Sequence, residues 1–330
     1  MNIYSLLLAV LALDLLLGEP PNAFHPVDWF GRWAGLQERF CRKWFGSGVG
    51  SGLAAWLVMV LIPSAAAYAL TAAGLRFGGT WAGFLTAAVL GYFTVALRSL
   101  TDHSRRIRLP LEAGDLPAAR HALSMIVSRV TDGLDGLEIV RGGVESIGEN
   151  LIDAVTSALF WIVLGYALGG FPGAAAGGVF LRCVNTLDAC WGYRNEKYLY
   201  FGRVAAVTDD WVHFIPARLT LIAIALAAPL VGGSFAGCLK TGWKHRKDHP
   251  SPNSCYGMAG FAGALKIRLG GPTRYSDGVE QYTCWGDGRS ELNARDLFRA
   301  EWLARLSAVT FFLLLSGGYA AVTQLLRLWR

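Results

Sequence analysis

Long apolar runs alternate with polar segments along the chain, and this alternation predicts membrane helices. Apolar residues fill the runs at 3–17, 53–75, 80–97, 154–184, 212–232 and about 302–326. A membrane-spanning helix needs about 20 apolar residues, a length that the first run does not reach. The pattern therefore predicts an all-α integral membrane protein with about four to six membrane-embedded helices.

Short interruptions within these runs predict where the chain reverses. The charge-poor residues 76–79 join two runs, which indicates a transmembrane hairpin. The sequence GGFPG at 169–173 splits the run at 154–184, and two short helices or one broken span fit equally well. A single span at 212–232 would place the basic segment 240–299 outside, so we expect a hairpin or re-entrant turn within 212–240.

Three polar segments, at about 98–150, 182–211 and 240–299, separate the apolar runs. We expect helices after Pro117 and near Asp135, and we expect 240–299 to be rich in loops. Clusters of Arg and Lys at the ends of the first hairpin place both ends on the cytoplasmic side by the positive-inside rule. The segments would then form a cleft at the membrane surface, within a single polytopic domain covering 1–330.

Composition supports a membrane protein and argues against nucleic-acid binding. Hydrophobic residues make up 53% of the 330 residues and charged residues only 16%, whereas soluble domains carry about 25% charged residues. The net charge of +6 fits cytoplasmic loops of a membrane protein. The six cysteines form no CxxC pair and no zinc-type cluster with histidine.

Acidic residues recur every four positions in the stretch RGGVESIGENLID, which leads into the run at 154–184. On a helix, Arg141, Glu145, Glu149 and Asp153 share one face, with Asn150 beside them. Three carboxylates with one basic partner repel each other unless a cation lies between them. The alternative is an acidic, solvated helix face.

A second polar cluster lies between two apolar runs, from Arg182 to Asp210. Its candidate ligand-binding residues are Asn185, Asp188, Tyr193, Arg194, Asn195, Glu196, Lys197, Asp209 and Asp210. Carboxylates of this kind can hold Mg²⁺, and Arg and Lys can hold phosphates. A binding cleft at the membrane surface explains this density of polar groups better than a plain loop.

Three further positions carry candidate chemistry. Residues 18–33 contain three prolines and two glycines, so we expect a rigid turn presenting His25, although a lone His is more often structural. Arg129 is a potential phosphate ligand, but it lies near Asp132 and Asp135, and such a neighbour more often makes a surface pair. Prolines on either side of Ser251 fix an extended turn in which Asn253 presents its side chain.

Several stretches together resemble one known family. They are LDLLLGEPPNAFHPVDWFGR, VSRVTDGLDGLEIVRGGVESIGEN, NTLDACWGYRNEKY, TDDWVHFIPARL and SPNS…AGFAGALKIRLGG. They are similar, in order and spacing, to motifs of the adenosylcobinamide-phosphate synthase family, the CobD/CbiB membrane proteins of cobalamin biosynthesis. The similarity covers nearly the whole chain.

The resemblance implies an enzyme that uses ATP and Mg²⁺ to join the carboxylate of a corrin, adenosylcobyric acid, to aminopropanol or its O-phosphate. It implies catalytic roles for His25, Glu145, Glu149, Asn150 and Asp153, and metal binding by Glu145, Glu149, Asp209 and Asp210. The implied substrate-binding residues are Arg129, Asn185, Asp188, Tyr193, Arg194, Asn195, Glu196, Lys197, Arg218, Ser251 and Asn253. Trp191, Tyr193 and Tyr198 are candidate platforms for the corrin.

The resemblance also implies a multi-pass protein of the bacterial inner membrane, with its active site facing the cytoplasm and other cobalamin-pathway membrane enzymes as possible partners. Two positions depart from the family pattern, because Val130 and Met258 stand where the family carries Asp and Glu. These losses keep a non-catalytic corrin-binding or AmpE-like signalling protein open as an alternative. A transporter is a third hypothesis, but the sequence shows no inverted repeat.

Overall fold

A computed structural model describes residues 1–20, 25–275 and 278–328 of the chain. Its α-helices are α1 Ile3–Leu17, α2 Pro26–Phe45, α3 Val49–Tyr92, α4 Leu97–Glu112, α5 Leu116–Ser124, α6 Gly136–Leu151, α7 Ser157–Trp191, α8 Arg203–Ala227, α9 Phe235–Lys244, α10 Ser254–Leu265 and α11 Ala294–Leu328. A π-helical turn, Ile152–Thr156, joins α6 to α7, and a 3₁₀ turn, Ala228–Val231, follows α8.

Helical content and apolar length confirm the prediction of an all-α membrane protein. Helices make up 76% of the structure. Four helical segments are long and apolar enough to cross a membrane: Val49–Glu112, Gly136–Trp191, Arg203–Val231 and Ala294–Leu328. Helix α1 is apolar but shorter, as its run of residues predicted.

The chain divides into two compact units. Unit 1 contains Met1–Ala96, Ser157–His213 and Tyr319–Arg330, and unit 2 contains Leu97–Thr156 and Phe214–Gly318. Each unit is therefore assembled from segments that lie far apart in the sequence. The single polytopic domain expected for 1–330 stays a prediction.

Both long helices of unit 1 are hairpins. Helix α3 is broken at Gly79, whose φ of 71° is left-handed, and Leu75 packs directly against Gly83 beyond the break. Helix α7 is broken at Gly169 and Gly170. A Cβ built on Gly165 would lie only 2.1 Å from the carbonyl oxygen of Gly173, so the two arms of α7 pack backbone to backbone. The first hairpin was predicted, and the second resolves the two alternatives left open for 154–184 in favour of two packed arms.

The chain also reverses after α8, in unit 2. Gly232 adopts a left-handed conformation at the end of the 3₁₀ turn, and α9 then returns beside α8. The sulfur of Cys238 lies 3.8 Å from the carbonyl oxygen of Leu221, and a Cβ on Gly242 would lie 2.4 Å from Leu221 Cδ1. The chain therefore reverses within 212–240, as expected, and the return of 240–299 to the cytoplasmic side stays a prediction.

Two expectations about local structure are wrong. Residues 240–299 were expected to be loop-rich, but strands β1, Leu269–Tyr275, and β2, Gly278–Trp285, pair antiparallel there. The register shifts between Gly270 and Pro272, because a proline cannot donate to the strand ladder. Residues 18–33 were expected to form a turn. Residues 21–24 lie outside the described residues, and from Pro26 onward the chain is helical in α2, since proline is well tolerated at the first helical position.

The close approach within α7 predicts that Gly165 accepts no side chain. Changing Gly165 to Ala places a Cβ against backbone atoms that cannot move aside, and overpacking of this kind costs about 1–3 kcal/mol. We expect a lowered midpoint of thermal unfolding in detergent, followed by size-exclusion fluorescence. Gly317→Ala is the matched control, because no atom lies within 4 Å of its Cβ position. Equal midpoints for the two variants would contradict the packing.

Candidate functional site

A polar cavity of about 140 Å³ lies in unit 2. Its walls come from the segment 126–129 that follows α5, from α6, from the start of α10 and from both strands. The polar side chains on these walls include Arg129, Glu145, Ser146, Glu149, His249 and Tyr282. Four of them, Arg129, Glu145, Ser146 and Glu149, lie within one of the motifs found in the sequence.

Helix α6 positions the carboxylates of this cavity. The Asp135 side chain caps the helix by accepting the Glu138 backbone N–H at 2.8 Å, and Glu138 accepts the Asp135 N–H in return. This capping box fixes where the helix begins, and Glu145 and Glu149 then follow one turn apart on the face turned to the cavity. The helix predicted near Asp135 is confirmed, and Glu145 and Glu149 share one of its faces as predicted.

Glu145 is a buried carboxylate with both oxygens engaged. Arg129 donates to Oε2 at 2.6 Å, and the backbone N–H of Gly270 donates to Oε1 at 2.7 Å. A buried charge is tolerated only when it is paired and hydrogen-bonded in this way. Arg129 thus pairs with Glu145 across the cavity wall, so the surface pair considered for it with Asp132 or Asp135 is wrong.

Two buried hydrogen-bond donors on the cavity wall have no partner among the described residues. They are Nη1 of Arg129 and Nε1 of Trp285. A buried donor without an acceptor costs about 1–3 kcal/mol, and more when the group is charged. Among possible acceptors, an anionic group suits a guanidinium best.

Glu149 lies deeper along the same helix face and contacts α10. The Ser254 hydroxyl donates to Glu149 Oε1 at 2.8 Å. The helices approach closely here, because a Cβ on Gly257 would lie 2.0 Å from the Gly148 carbonyl oxygen. Glycine at both positions is what brings Ser254 within reach of the carboxylate.

His249 completes the cavity wall opposite the carboxylates. Its ring stacks on Tyr282 at 5.4 Å between centroids, and its Nδ1 accepts the Ser251 backbone N–H at 3.2 Å. Burial lowers the pKa of His249, although Glu149, Glu280 and Glu145 act in the opposite direction. The neutral ring therefore carries its proton on Nε2 and acts as a hydrogen-bond donor there.

Other predicted residues of unit 2 lie outside this cavity. Asp153 falls in the π-helical turn, which interrupts the four-residue spacing, so the expected alignment of Asp153 with Glu145 and Glu149 is not found. Arg218 donates to Asn253 Oδ1 at 2.9 Å, and the Asn253 N–H bonds to Ser251 Oγ at 3.3 Å. The Asn150 amide donates back to the Ser146 carbonyl at 2.9 Å within its own helix.

In unit 1, part of the predicted 182–210 cluster is connected through hydrogen bonds. Asn185 Nδ2 lies 3.5 Å from Asp209 Oδ1, and His213 Nε2 lies 3.2 Å from the same oxygen. His213 Nδ1 in turn lies 2.7 Å from the hydroxyl of Ser157. Asp188 lies on the same helix as Asn185, and Asp210 follows Asp209 on α8.

The segment from Tyr193 to Lys197 is an exposed turn between α7 and α8 that contains Arg194, Asn195 and Glu196. It is tied to α2, because Lys197 pairs with Glu38 at 3.2 Å and Arg42 donates to the Lys197 carbonyl at 2.7 Å. Hydrogen bonding to Tyr198, followed by Glu38, raises the pKa of Lys197. Trp191 was a candidate platform for a ligand, but it is 1% exposed and packs on Phe201, so that expectation is wrong.

His25 caps α2 rather than standing in a turn. Its Nδ1 accepts the Val27 backbone N–H at 3.1 Å. Burial lowers the pKa of His25, with Glu19 acting in the opposite direction. It lines a small cavity of about 80 Å³ in unit 1 together with Glu19 and Arg182.

The donor set was also compared with what a resident metal ion needs. Within 1–20, 25–275 and 278–328, no three His, Cys, Asp or Glu side chains come close enough together to hold a metal. Glu145 already shares both oxygens with protein donors, and only one oxygen of Glu149 accepts a described hydrogen bond. Glu149 therefore fits the mode in which Mg²⁺ is held by one or two carboxylates and by substrate phosphates.

Apolar helices of spanning length and a cavity lined by charged side chains define a polytopic membrane protein with a polar cavity. The family profile described as CobD/Cbib protein matches residues 6–304, and the chain belongs to that family. No solved structure matches the chain.

Similar proteins cover most of the chain. A protein of Klebsiella pneumoniae named cobalamin biosynthesis protein CobD is 37% identical over 309 residues, 91% of this chain and 93% of its own. A Geobacter metallireducens protein of the same name is 39% identical over 271 residues, 82% of each chain. A Salmonella paratyphi B protein named cobalamin biosynthesis protein CbiB is 34% identical over 317 residues, 94% of this chain and 96% of its own.

Sequence reasoning missed the cavity residues that the strands and the preceding loop contribute. His249, Tyr282 and Trp285 all line the cavity but stood in no recognised pattern. The β-branched and aromatic residues of β2 are the signal that could have indicated a strand.

The Arg129–Glu145 pair predicts that loss of the arginine strongly destabilises the protein and that a second substitution, at Glu145, restores part of the stability. Changing Arg129 to Gln leaves Glu145 buried without its cation, and breaking a buried pair costs about 3–5 kcal/mol. The double variant R129Q/E145Q removes the stranded charge and should recover part of the loss. Thermal unfolding of the wild type, R129Q, E145Q and R129Q/E145Q measures the coupling energy between the two side chains. Destabilisation by the double variant equal to the sum of the two single effects would contradict the pairing.

The lowered pKa of His249 predicts sensitivity to acid. The folded state binds this proton less readily than the unfolded chain, whose His titrates near 6.5, so stability is present above that pH and falls as the pH drops below it. We expect the temperature midpoint of unfolding of the wild type to be lower at about pH 5.5 than at about pH 7.5. The midpoint of His249→Gln should decrease less over the same pH range. An identical decrease in the variant and the wild type would exclude His249 as the cause.

Proposed function

We propose that the protein acts in cobalamin biosynthesis as an ATP-dependent ligase. It would join the carboxylate of adenosylcobyric acid to aminopropanol or its O-phosphate through an amide bond. Membership of the CobD/CbiB family and the names of the similar proteins support the pathway. We further propose that the site faces the cytoplasm from the bacterial inner membrane, which the basic residues at the ends of the first hairpin support.

The observation that carries the reaction is the pair of unpartnered donors on the cavity wall. Arg129 and Trp285, whose Nη1 and Nε1 have no acceptor among the described residues, line the same cavity as Glu149 and His249. A carboxylate or phosphate placed there would suit the guanidinium best. The space of about 140 Å³ admits such a group but not a corrin ring, so the ring would stay outside and insert one carboxylate-bearing arm.

The reaction that we propose has two steps. The corrin carboxylate oxygen attacks the γ-phosphorus of ATP, ADP leaves, and an acyl phosphate forms. The amine nitrogen then attacks the acyl carbon, a C–N bond forms, the C–O bond to phosphate breaks, and phosphate leaves. The amine must lose a proton to attack, and the Glu149 carboxylate would accept it in this second step, after the phosphoryl transfer during which it would hold Mg²⁺.

In this scheme the other cavity residues would position the reacting groups and stabilise their negative charge. Arg129, held in place by Glu145, would bind the carboxylate or the transferred phosphoryl group. His249 donates from Nε2 and so would hydrogen-bond an oxygen rather than take a proton. Mg²⁺ bound by Glu149 and the ATP phosphates would offset negative charge during phosphoryl transfer. Metal binding by Asp209 and Asp210 and the roles of the exposed 193–197 turn stay predictions.

A second candidate is a corrin-binding protein without ligase activity. Met258 lines the cavity where the family pattern carries a carboxylate, and this observation favours the second candidate. The other departure, Val130, has its backbone N–H bonded to the Arg274 carbonyl at 2.8 Å, a contact that needs no acidic side chain. The loss at Met258 therefore bears more directly on the chemistry than the loss at Val130.

The ligase proposal predicts that Glu149→Gln loses activity. The amide cannot accept the ammonium proton or hold Mg²⁺ as a carboxylate does, and a loss of about a hundredfold or more is expected. Amide formation from adenosylcobyric acid, aminopropanol phosphate, ATP and Mg²⁺ in liposomes is followed by mass spectrometry. Glu112→Gln is the control, because this exposed carboxylate pairs with Arg108 on the surface of the same unit.

The outcomes separate the candidates. Wild-type activity in Glu149→Gln would remove that residue from the mechanism. Corrin binding without product in the wild type would replace the ligase by the binding protein.

A further inference from the structure

A second site lies in unit 2, on the outer face of the reversal between α8 and α9. A groove of about 550 Å³ is lined by Arg218, Leu221, Leu239, Lys240, Trp243 and Lys244, which together are called the basic groove. None of these six residues lines the polar cavity described above. Tyr256 of α10 closes one end of the groove.

The basic groove combines an apolar floor with a cationic rim. Leu221 belongs to a segment long and apolar enough to span a membrane, and α9 packs directly against it through Cys238 and Gly242. Lys240 and Lys244 lie one turn apart on α9 and are exposed. Two ammonium groups are therefore held beside a membrane span, where cations are costly unless they reach an interface or an anion.

The lysines of the rim form no ion pair with the protein. Within the described part of the chain, neither Lys240 nor Lys244 lies within ion-pair distance of a carboxylate, and no acidic side chain lines the groove. The nearest carboxylate along the chain, Asp248, bonds to His245 and Thr283 and attracts Lys244 only through a longer-range electrostatic interaction. Arg218 is fixed separately, between the rings of Phe214 and Tyr256.

The residue types around the groove match the interface of a membrane. Trp243 is exposed and is of an aromatic type that is enriched at the level of the lipid headgroups, whereas Tyr256 is almost fully buried. Basic pockets between membrane helices bind anionic headgroups, and lysine stems can lie along apolar surface while their charged ends reach the phosphate. A phospholipid supplies both the anion for the rim and the acyl chain for the floor.

We propose that the basic groove binds an anionic phospholipid, with its headgroup phosphate at Lys240 and Lys244 and an acyl chain along Leu221 and Leu239. A free nucleotide would satisfy the lysines but would leave the apolar floor uncovered. A neutral phospholipid would cover the floor but would carry no net negative charge for the rim. The proposal does not depend on the ligase reaction.

The test uses the full chain, purified in neutral detergent and titrated with phosphatidylglycerol or with phosphatidylcholine of the same acyl chains. Bound lipid is counted by native mass spectrometry. We expect phosphatidylglycerol to bind more tightly to the wild type. K240Q/K244Q should lose about thirtyfold in affinity for phosphatidylglycerol, which corresponds to about 2 kcal/mol for two lysines.

Two control variants separate specific binding from general charge and from misfolding. R105Q/R106Q removes two exposed cations from α4 of the same unit and should keep wild-type affinity. K240R/K244R keeps both charges and should retain tight binding. Equal affinity for the two lipids, or an equal loss in R105Q/R106Q, would overturn the proposal. Loss of ATP binding in K240Q/K244Q with unchanged phosphatidylglycerol binding would assign the groove to a nucleotide instead.

Discussion

Unit 2 is organised by the need to neutralise one buried carboxylate. Glu145 obtains a cation from the segment after α5 and an N–H from the first strand, while its own backbone belongs to α6. Three segments that are distant in sequence must therefore meet at one point before the charge is compensated. A buried carboxylate that lacks one of its partners strongly destabilises the fold. The pair therefore specifies the arrangement of the cavity wall as well as stabilising it.

The same pair fixes the position of Arg129 on the cavity wall. One guanidinium nitrogen is bonded to Glu145, and Nη1 has no acceptor among the described residues, so the proposed anion would meet a guanidinium that is already held in place. A group held in place in advance loses little conformational entropy on binding. Glu149 is held in a comparable way by Ser254, and His249 by Ser251 and Tyr282. The cavity thus presents a cation, a carboxylate and a neutral donor with separate structural supports.

What the sequence revealed depended on the range of each interaction. The helical spacing of Glu145 and Glu149 and the cap at Asp135 are local, and both were predictable from a few neighbouring residues. The partner of Arg129 was not, because Glu145 lies sixteen residues away and competed in the sequence with Asp132 and Asp135. Gly270 and Trp285 could not be placed at all, since strand pairing and the shift of register at Pro272 bring them to the cavity. Asp153 was misplaced because a π-helical turn leaves no clear mark in the sequence.

The glycine contacts inside α7 have a consequence for how unit 1 responds to cold. Where the arms meet at Gly165 and Gly173, the contact is between backbones. In a membrane, the lipid chains that this contact displaces are as apolar as the helix surfaces that they covered. Dispersion between closely packed atoms holds such arms together, and little water is released when they meet. The hydrophobic effect weakens on cooling, but this kind of cohesion does not depend on it. The hairpin of α7 should therefore keep its internal packing at low temperature, when parts of the protein that rely on excluding water become less stable.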